Sequence, residues 1–140
     1  MKYLLDTNVI SELIKKQPEP KVVQWVDQQD PSLLYLSVIT IGEIRRGVEK
    51  LPDLARKEKI STWLSSYLLV RFAGRILPIT TDVMLRWGEL TGHLETKGLL
   101  LAAFDSVIAA SALQEQLTIV TRNTKDFREI GVALFNPWDD

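Results

Sequence analysis

The chain has 140 residues, 46% of them apolar and 25% charged, which fits a soluble globular class with one substantial core. It contains no cysteine, so thiolate zinc sites, disulfide frameworks and cysteine nucleophiles are excluded. A net charge of −1 lacks the basic footprint of a dedicated nucleic-acid binder; local patches would have to do the work, with modest binding that fades in salt.

The opening MKYLLDTN has no long apolar stretch and no small-residue cleavage site, so no signal peptide is expected and the plain reading is cytoplasmic. Tyr3-Leu4-Leu5 reads as a short buried parallel strand ending at Asp6. Thr7 and Asn8 offer caps for a helix through Val9, Ile10, Leu13 and Ile14. Pro18 and Pro20 end it and open another, with Val22, Trp25 and Val26 on its apolar side. Leu33 to Leu36 is a second strand.

Ser37 starts a helix whose Ile41, Ile44, Val48 and Leu51 share one face. Pro52-Asp53 opens the next, striped by Ile60, Leu64, Tyr67 and Leu68. Arg75 to Ile79 is a third strand, confined to an edge or a strand end by Pro78. Val83, Trp87, Leu90 and Leu94 mark a helix ending near Gly98. The apolar run 98–104 is too short to span a bilayer, and a small-residue helix follows from about Asp105 through Ala112. Leu117 to Thr121 and Val132 to Phe135 complete the strands. Strands alternating with helices predict an α/β fold, 1–140 as a single domain, with a parallel sheet covered on both faces.

Four carboxylates, Asp6, Glu43, Asp105 and Asp126, lie just after strands or near helix starts. In open α/β sheets ligands sit beyond the carboxyl ends of the strands, so these acids converge if those ends do. Each has a plain structural reading beside that one. Asp6 can be an N-cap. Glu43 can close a capping box with Thr40 or pair with Arg46. Asp105 can complement a helix dipole. Asp126 can sit in a turn with Asn123 as an Asx cap, oriented by an inward Phe127.

Gly42 and Gly47 flank Glu43 at a cost of about 1 kcal/mol each in a helix, which makes more sense if something approaches that face closely. Gathered together, such acids raise one another's pKa or demand a cation, and Mg²⁺ or Mn²⁺ with phosphodiester hydrolysis is the natural match.

Other chemistries lack their residues. His93 is the only histidine and sits in a charged helix tail; neither GxxxxGK[ST] nor GxGxxG occurs. A phosphotransfer receiver or phosphatase wants a second Asp where Asn8 stands, or an Asp closing the third strand. Trp25, Trp63 and Trp87 fall at core spacings, and Trp138 would clamp the chain end. The basic candidates are Arg45, Arg46 and Lys50; Arg56, Lys57 and Lys59, read as a solvated helix face; Arg71 and Arg75; and Arg122, Lys125 and Arg128.

The runs LLDTNVISE (Leu4–Glu12), LSVITIGEI (Leu36–Ile44), DSVIAASA (Asp105–Ala112) and VTRNTKDF (Val120–Phe127) resemble PIN-domain nucleases over nearly the whole chain. Their order and spacing are similar to the VapC toxins of toxin–antitoxin pairs, in the FitB-like branch that also ends in Phe-Asn-Pro-Trp, here Phe135 to Trp138. The resemblance implies a three-layer α/β/α sandwich around a mostly parallel sheet of four to five strands, and Mg²⁺- or Mn²⁺-dependent cleavage of RNA.

It also implies metal ligation by Asp6 and Asp105, with Glu43 ligating or orienting water. The fourth acid falls at Asn123 or Asp126, and only Asp126 can ionise. Thr7, Asn8, Thr121 and Asn123 would be supports. Phe104 departs from the smaller or acidic residue of many relatives and would narrow access. Implied partners are an RNA substrate, a small VapB-like antitoxin and a second copy in a homodimer; no membrane is implied. The helices carrying Trp63, Tyr67 and Leu68 could offer a groove to a partner helix, or pack into the core. The competing reading is a non-catalytic RNA- or protein-binding module on the same fold, in which the acids would bind no metal.

Overall fold

A computed structural model describes residues 1–139; residue 140, the last of the expected 1–140 domain, lies outside them. Five parallel strands form one sheet: β1 (Tyr3–Leu5), β2 (Leu34–Ser37), β3 (Ile76–Leu77), β4 (Thr118–Val120) and β5 (Leu134–Phe135), in the spatial order β3-β2-β1-β4-β5. The register pairs Leu4 with Tyr35 on one side and with Ile119 on the other. Strands this short pair only because both faces are covered. Leu5, Leu34, Leu36 and Val120 enter one core, while Leu4 and Ile119, one residue out of phase, enter the other.

The first core is roofed by α1 (Thr7–Leu13), α2 (Pro20–Gln28), α3 (Val38–Glu49) and α4 (Leu54–Trp63), which continues through a π-turn (Leu64–Leu68) into α5 (Leu69–Arg71). The second core receives α6 (Thr81–Thr96), α7 (Ala103–Glu115) and α8 (Thr124–Phe127). Every connection before β3 therefore covers one face and the later helices cover the other. The chain switches sides between β1 and β4, which opens a crevice at the carboxyl ends of those two strands.

Several expectations shift for local reasons. Leu33 belongs to a 3-10 turn (Pro31–Leu33) held by the Asp30 cap, so the second strand starts one residue later. β3 shortens to two residues at the sheet edge, as Pro78 requires. Ile60, Leu64, Leu68 and Phe72 are buried at strict steps of four, a spacing wider than 3.6 residues per turn. The π-turn absorbs that mismatch and leaves Tyr67 outside, 47% exposed, while Leu68 is fully committed to the core. Tyr67 and Leu68 thus do not share one groove.

Gly98, at φ +73°, ends α6; Leu99 N–H reaches back to Leu94 O at 2.9 Å, so the chain turns sharply into the apolar segment before α7. Trp138 packs against the first core, where its backbone N–H donates to Asn136 Oδ1 at 2.8 Å and the Arg122 guanidinium covers its ring. Trp138 thus holds the last described segment against the core, as expected. No helix among the described residues is long and apolar enough to cross a membrane.

Candidate active site

Asp6 leaves β1 at the crevice, and its backbone N–H still bonds Val120 O of β4 at 2.9 Å. Both readings of this residue hold at once. Its Oδ1 caps α1 through Thr7 N–H at 2.8 Å, and its Oδ2 accepts the Thr121 hydroxyl at 2.8 Å across the crevice. Asn8 Nδ2 lies 3.4 Å from the same Oδ2 and 3.1 Å from Thr121 Oγ1. Thr121 is fully buried, and its oxygen also accepts Asn123 N–H at 3.1 Å. A single hydroxyl thereby ties β1, α1 and the loop before α8 together. Burial pushes the Asp6 pKa upward; the bonds from Thr121 and Thr7 oppose that, and the charges of Glu43 and Asp126 add to it.

Glu43 reaches the crevice from α3. The predicted capping box does not form, because Ser37 caps this helix by accepting Ile39 N–H at 3.0 Å, which puts Thr40 and Glu43 inside the helix. Thr40 is fully buried instead, with its hydroxyl 2.9 Å from Thr7 Oγ1. Thr7 has one hydroxyl proton and gives it to Glu43 Oε1 at 2.6 Å, so Thr40 donates to Thr7. This Thr40–Thr7–Glu43 relay fixes one oxygen of Glu43. The sequence pointed to Thr40 only as a cap; its place one turn before an acid on the same helix was the available signal.

Asp105 lies in the first turn of α7. Burial, then the charges of Asp6, Glu43 and Asp126, push its pKa up to about 6. Among the described residues it makes no side-chain hydrogen bond or ion pair. Asp126 is exposed at the start of α8, and its charge acts on both Asp6 and Asp105. With Asp105 it borders an open cavity of about 410 Å³ that also includes Lys125, Glu129 and Leu101. Asn123 contributes its backbone N–H to Thr121 and makes no side-chain cap, so the expected Asx turn is absent. Phe127, fully buried, anchors the segment as expected.

Four carboxylates from β1, α3, α7 and α8 therefore share one electrostatic field. Two are fixed by donors and two are free of them. Among the described residues, no three acids close around a common point tightly enough to hold an ion by themselves. That open arrangement differs from a full carboxylate cage. It suits hard cations such as Mg²⁺ and Mn²⁺, which take oxygen donors and keep several waters, so Asp6 and Asp105 with Glu43 and Asp126 are a fitting donor set. None of the four is ion-paired among the described residues; hydrogen bonds relieve Asp6 and Glu43 in part.

Comparison with known proteins identifies the family. A family described as PIN domain matches residues 3–133. The chain is 43% identical over 137 residues to toxin FitB of Neisseria gonorrhoeae, covering 98% of this chain and 99% of FitB. It is 37% identical over 136 residues to VapC ribonuclease Y4jK of Sinorhizobium fredii, covering 97% of each. A solved structure of FitAB bound to a DNA fragment matches with a TM-score of 0.93 at 40% identity, over 99% of this chain and 96% of that one. The chain belongs to the PIN-domain family, among its FitB- and VapC-type members.

Proposed function

We propose that this protein is an endoribonuclease dependent on Mg²⁺ or Mn²⁺, the toxin of a toxin–antitoxin pair, with Asp6, Glu43, Asp105 and Asp126 as its catalytic acids. The observation that carries the reading is four acids gathered at the switch point, where burial first, and then the charges of Asp6, Glu43 and Asp126, push the Asp105 pKa up to about 6. A fold maintained only for binding gains nothing from such repulsion. The names of the relatives point the same way: a VapC ribonuclease and a toxin whose structure is solved as FitAB on DNA.

Asp6 and Asp105 are the residues to hold the cation, with Glu43 and Asp126 at its margin. When bound, such a cation supplies positive charge to the phosphoryl oxygens and makes water a better nucleophile at neutral pH. The chain's own groups do the positioning. Thr121 and the Thr7 amide lock Asp6, so its carboxylate presents fixed lone pairs to the crevice. The Thr40–Thr7 relay occupies Oε1 of Glu43 and leaves Oε2 to accept a proton from water. Among the described residues no histidine bonds these acids and no lysine does, so the base on this reading is a carboxylate.

The test is cleavage of a structured RNA with Mg²⁺ or Mn²⁺. Asp6→Asn, folded as judged by an unchanged circular dichroism spectrum, is expected to lose at least about a hundredfold in rate, the scale on which removal of a catalytic group is felt. Full activity in excess chelator would refute the metal dependence, and full activity in Asp6→Asn would refute the site. The partners that follow from this reading are a small antitoxin and a second copy of the chain. Sedimentation of the protein alone and with its neighbouring gene product tests both.

A further inference from the structure

An acidic crevice repels the polyanion it is meant to cut, so cations near it have to hold the strand. The structure contains such a group. A cavity of about 210 Å³ bordering Glu43 and Gly47 is walled by Arg56 and floored by Ile14 and Ile60. Those last three residues also line a second cavity of about 370 Å³, together with Lys15, Lys16, Lys59 and Trp63. The two form one trough between α1, α3 and α4. Its near end is a catalytic acid, and its far end is lined by four cations, one of them, Lys15, paired with Glu12.

The cations are not equivalent. Arg56 is fixed by donating from Nη2 to Ile14 O at 2.6 Å, and Lys15 Nζ bonds Glu12 at 3.0 Å. Lys16 and Lys59 are exposed and have no ion pair among the described residues. Lys59, exposed as a solvated helix face requires, also borders the second cavity beside Trp63. Trp63 lies 5.8 Å from the exposed Tyr67 ring, and the Arg71 guanidinium covers Tyr67 in turn at 5.8 Å. The π-turn places this aromatic and cationic strip at the rim.

We infer that this trough is a binding track for single-stranded RNA, with phosphates on Lys16, Arg56 and Lys59 and a base against Trp63, leading the strand to Glu43. The inference rests on the nuclease reading for its ligand. Cations interleaved with aromatic faces match a chain that carries phosphates and stacking bases; an acidic peptide matches the lysines alone.

The test uses a fluorescein-labelled single-stranded RNA of mixed sequence, followed by anisotropy in chelator so that the strand stays intact. The double variant Lys16→Gln/Lys59→Gln is expected to weaken binding about tenfold at low salt. It should also flatten the log–log salt slope by about 1.4, at about 0.7 for each phosphate left without its lysine. The control Arg86→Gln/Lys97→Gln, at exposed positions on and just after α6, is expected to change affinity less than about twofold. Equal losses in both pairs, or none in the trough pair, would overturn the track. So would a trough pair that keeps its affinity for RNA but loses that for a glutamate-rich peptide, which would reassign the trough to an acidic protein segment. In Mg²⁺ the trough pair should raise KM and leave kcat in place. If the wild type binds RNA through the trough and cleaves none, the track stands and the nuclease reading falls.

Discussion

Asp105→Asn is expected to make the metal-free protein more stable while destroying its activity. The folded chain holds the Asp105 proton with a pKa of about 6 against an ordinary value of 3.8, so its ionised form is disfavoured in the native state. The stabilisation from that retained proton is complete below about 3.8 and is lost as pH rises through about 6. At about 1.36 kcal/mol per tenfold in proton affinity, the ceiling at pH 7.5 is about 3 kcal/mol. Water reaches this half-buried carboxylate, which lowers the figure to about 1–2 kcal/mol.

Asn also gives up the favourable charge at the start of α7, worth about 0.3–1 kcal/mol. The net gain is therefore about 1 kcal/mol. For a chain of this length that is a rise in Tm of about 3 °C. Thermal unfolding in chelator at pH 7.5 and pH 5 tests it: the gap between variant and wild type should narrow by about half at pH 5, where the wild-type carboxyl is mostly protonated when folded. Added Mg²⁺ should raise the wild-type Tm more than that of the variant. A variant that melts at or below the wild type at pH 7.5, with no dependence on pH, would refute the burial and repulsion held to raise the Asp105 pKa.

Thr121→Val keeps the shape but leaves Asp6 Oδ2 and Asn8 Nδ2 only their long 3.4 Å contact with each other and strands Asn123 N–H, and should cost about 1–3 kcal/mol by chemical denaturation together with a loss of cleavage. Thr40→Val removes only the donor to Thr7; kcat should fall about three- to tenfold with KM unchanged, since a net hydrogen bond is worth about 0.5–1.5 kcal/mol. Phe127→Ala, deep in the second core, should cost about 3–5 kcal/mol in a urea titration. Gly42→Ala meets no atom within 4 Å and should stabilise α3 by up to about 1 kcal/mol in thermal melts; a rise in KM for RNA would show that the ligand occupies that open face, and an unchanged KM would show that it does not.

The sheet and its partitioned cores were legible because strand residues alternate and helix faces repeat, both local signals. Leu4 and Leu5 already divide between two faces in the sequence, and Ser37 and Gly98 mark helix ends by their own chemistry. The acids stood out as a set because each lies just after a strand or near the start of a helix. What stayed hidden was relational. Thr40 shares a helix turn with Glu43, but its bond to Thr7 depends on α1 and α3 meeting over β1 and β2. The π-turn is encoded in the spacing of Ile60, Leu64, Leu68 and Phe72, which an average helical period assigns to one continuous helix that includes Tyr67. The basic trough was invisible because Lys16 and Lys59 are more than forty positions apart and become neighbours only through Ile14 and Ile60.

A net charge of −1 then ceases to count against nucleic acid. Like charges concentrated in one crevice and opposite charges concentrated in an adjoining trough cancel in the sum, but not in the field a strand meets at the surface. The separation also divides the labour within the acids. Asp6 and Glu43, which face β1 and α3, are held by hydroxyl and amide donors, so their positions are set before any ligand arrives. Asp105 and Asp126, on the α7 and α8 side, have no such donors among the described residues, and share their cavity with Lys125 without an ion pair to it. On the proposed metal-dependent reading the fixed acids would set the geometry and the unpartnered acids would attract the cation; neutralising Asp105 should then raise stability, and neutralising Asp6, whose hydrogen bonds would be weakened, should not.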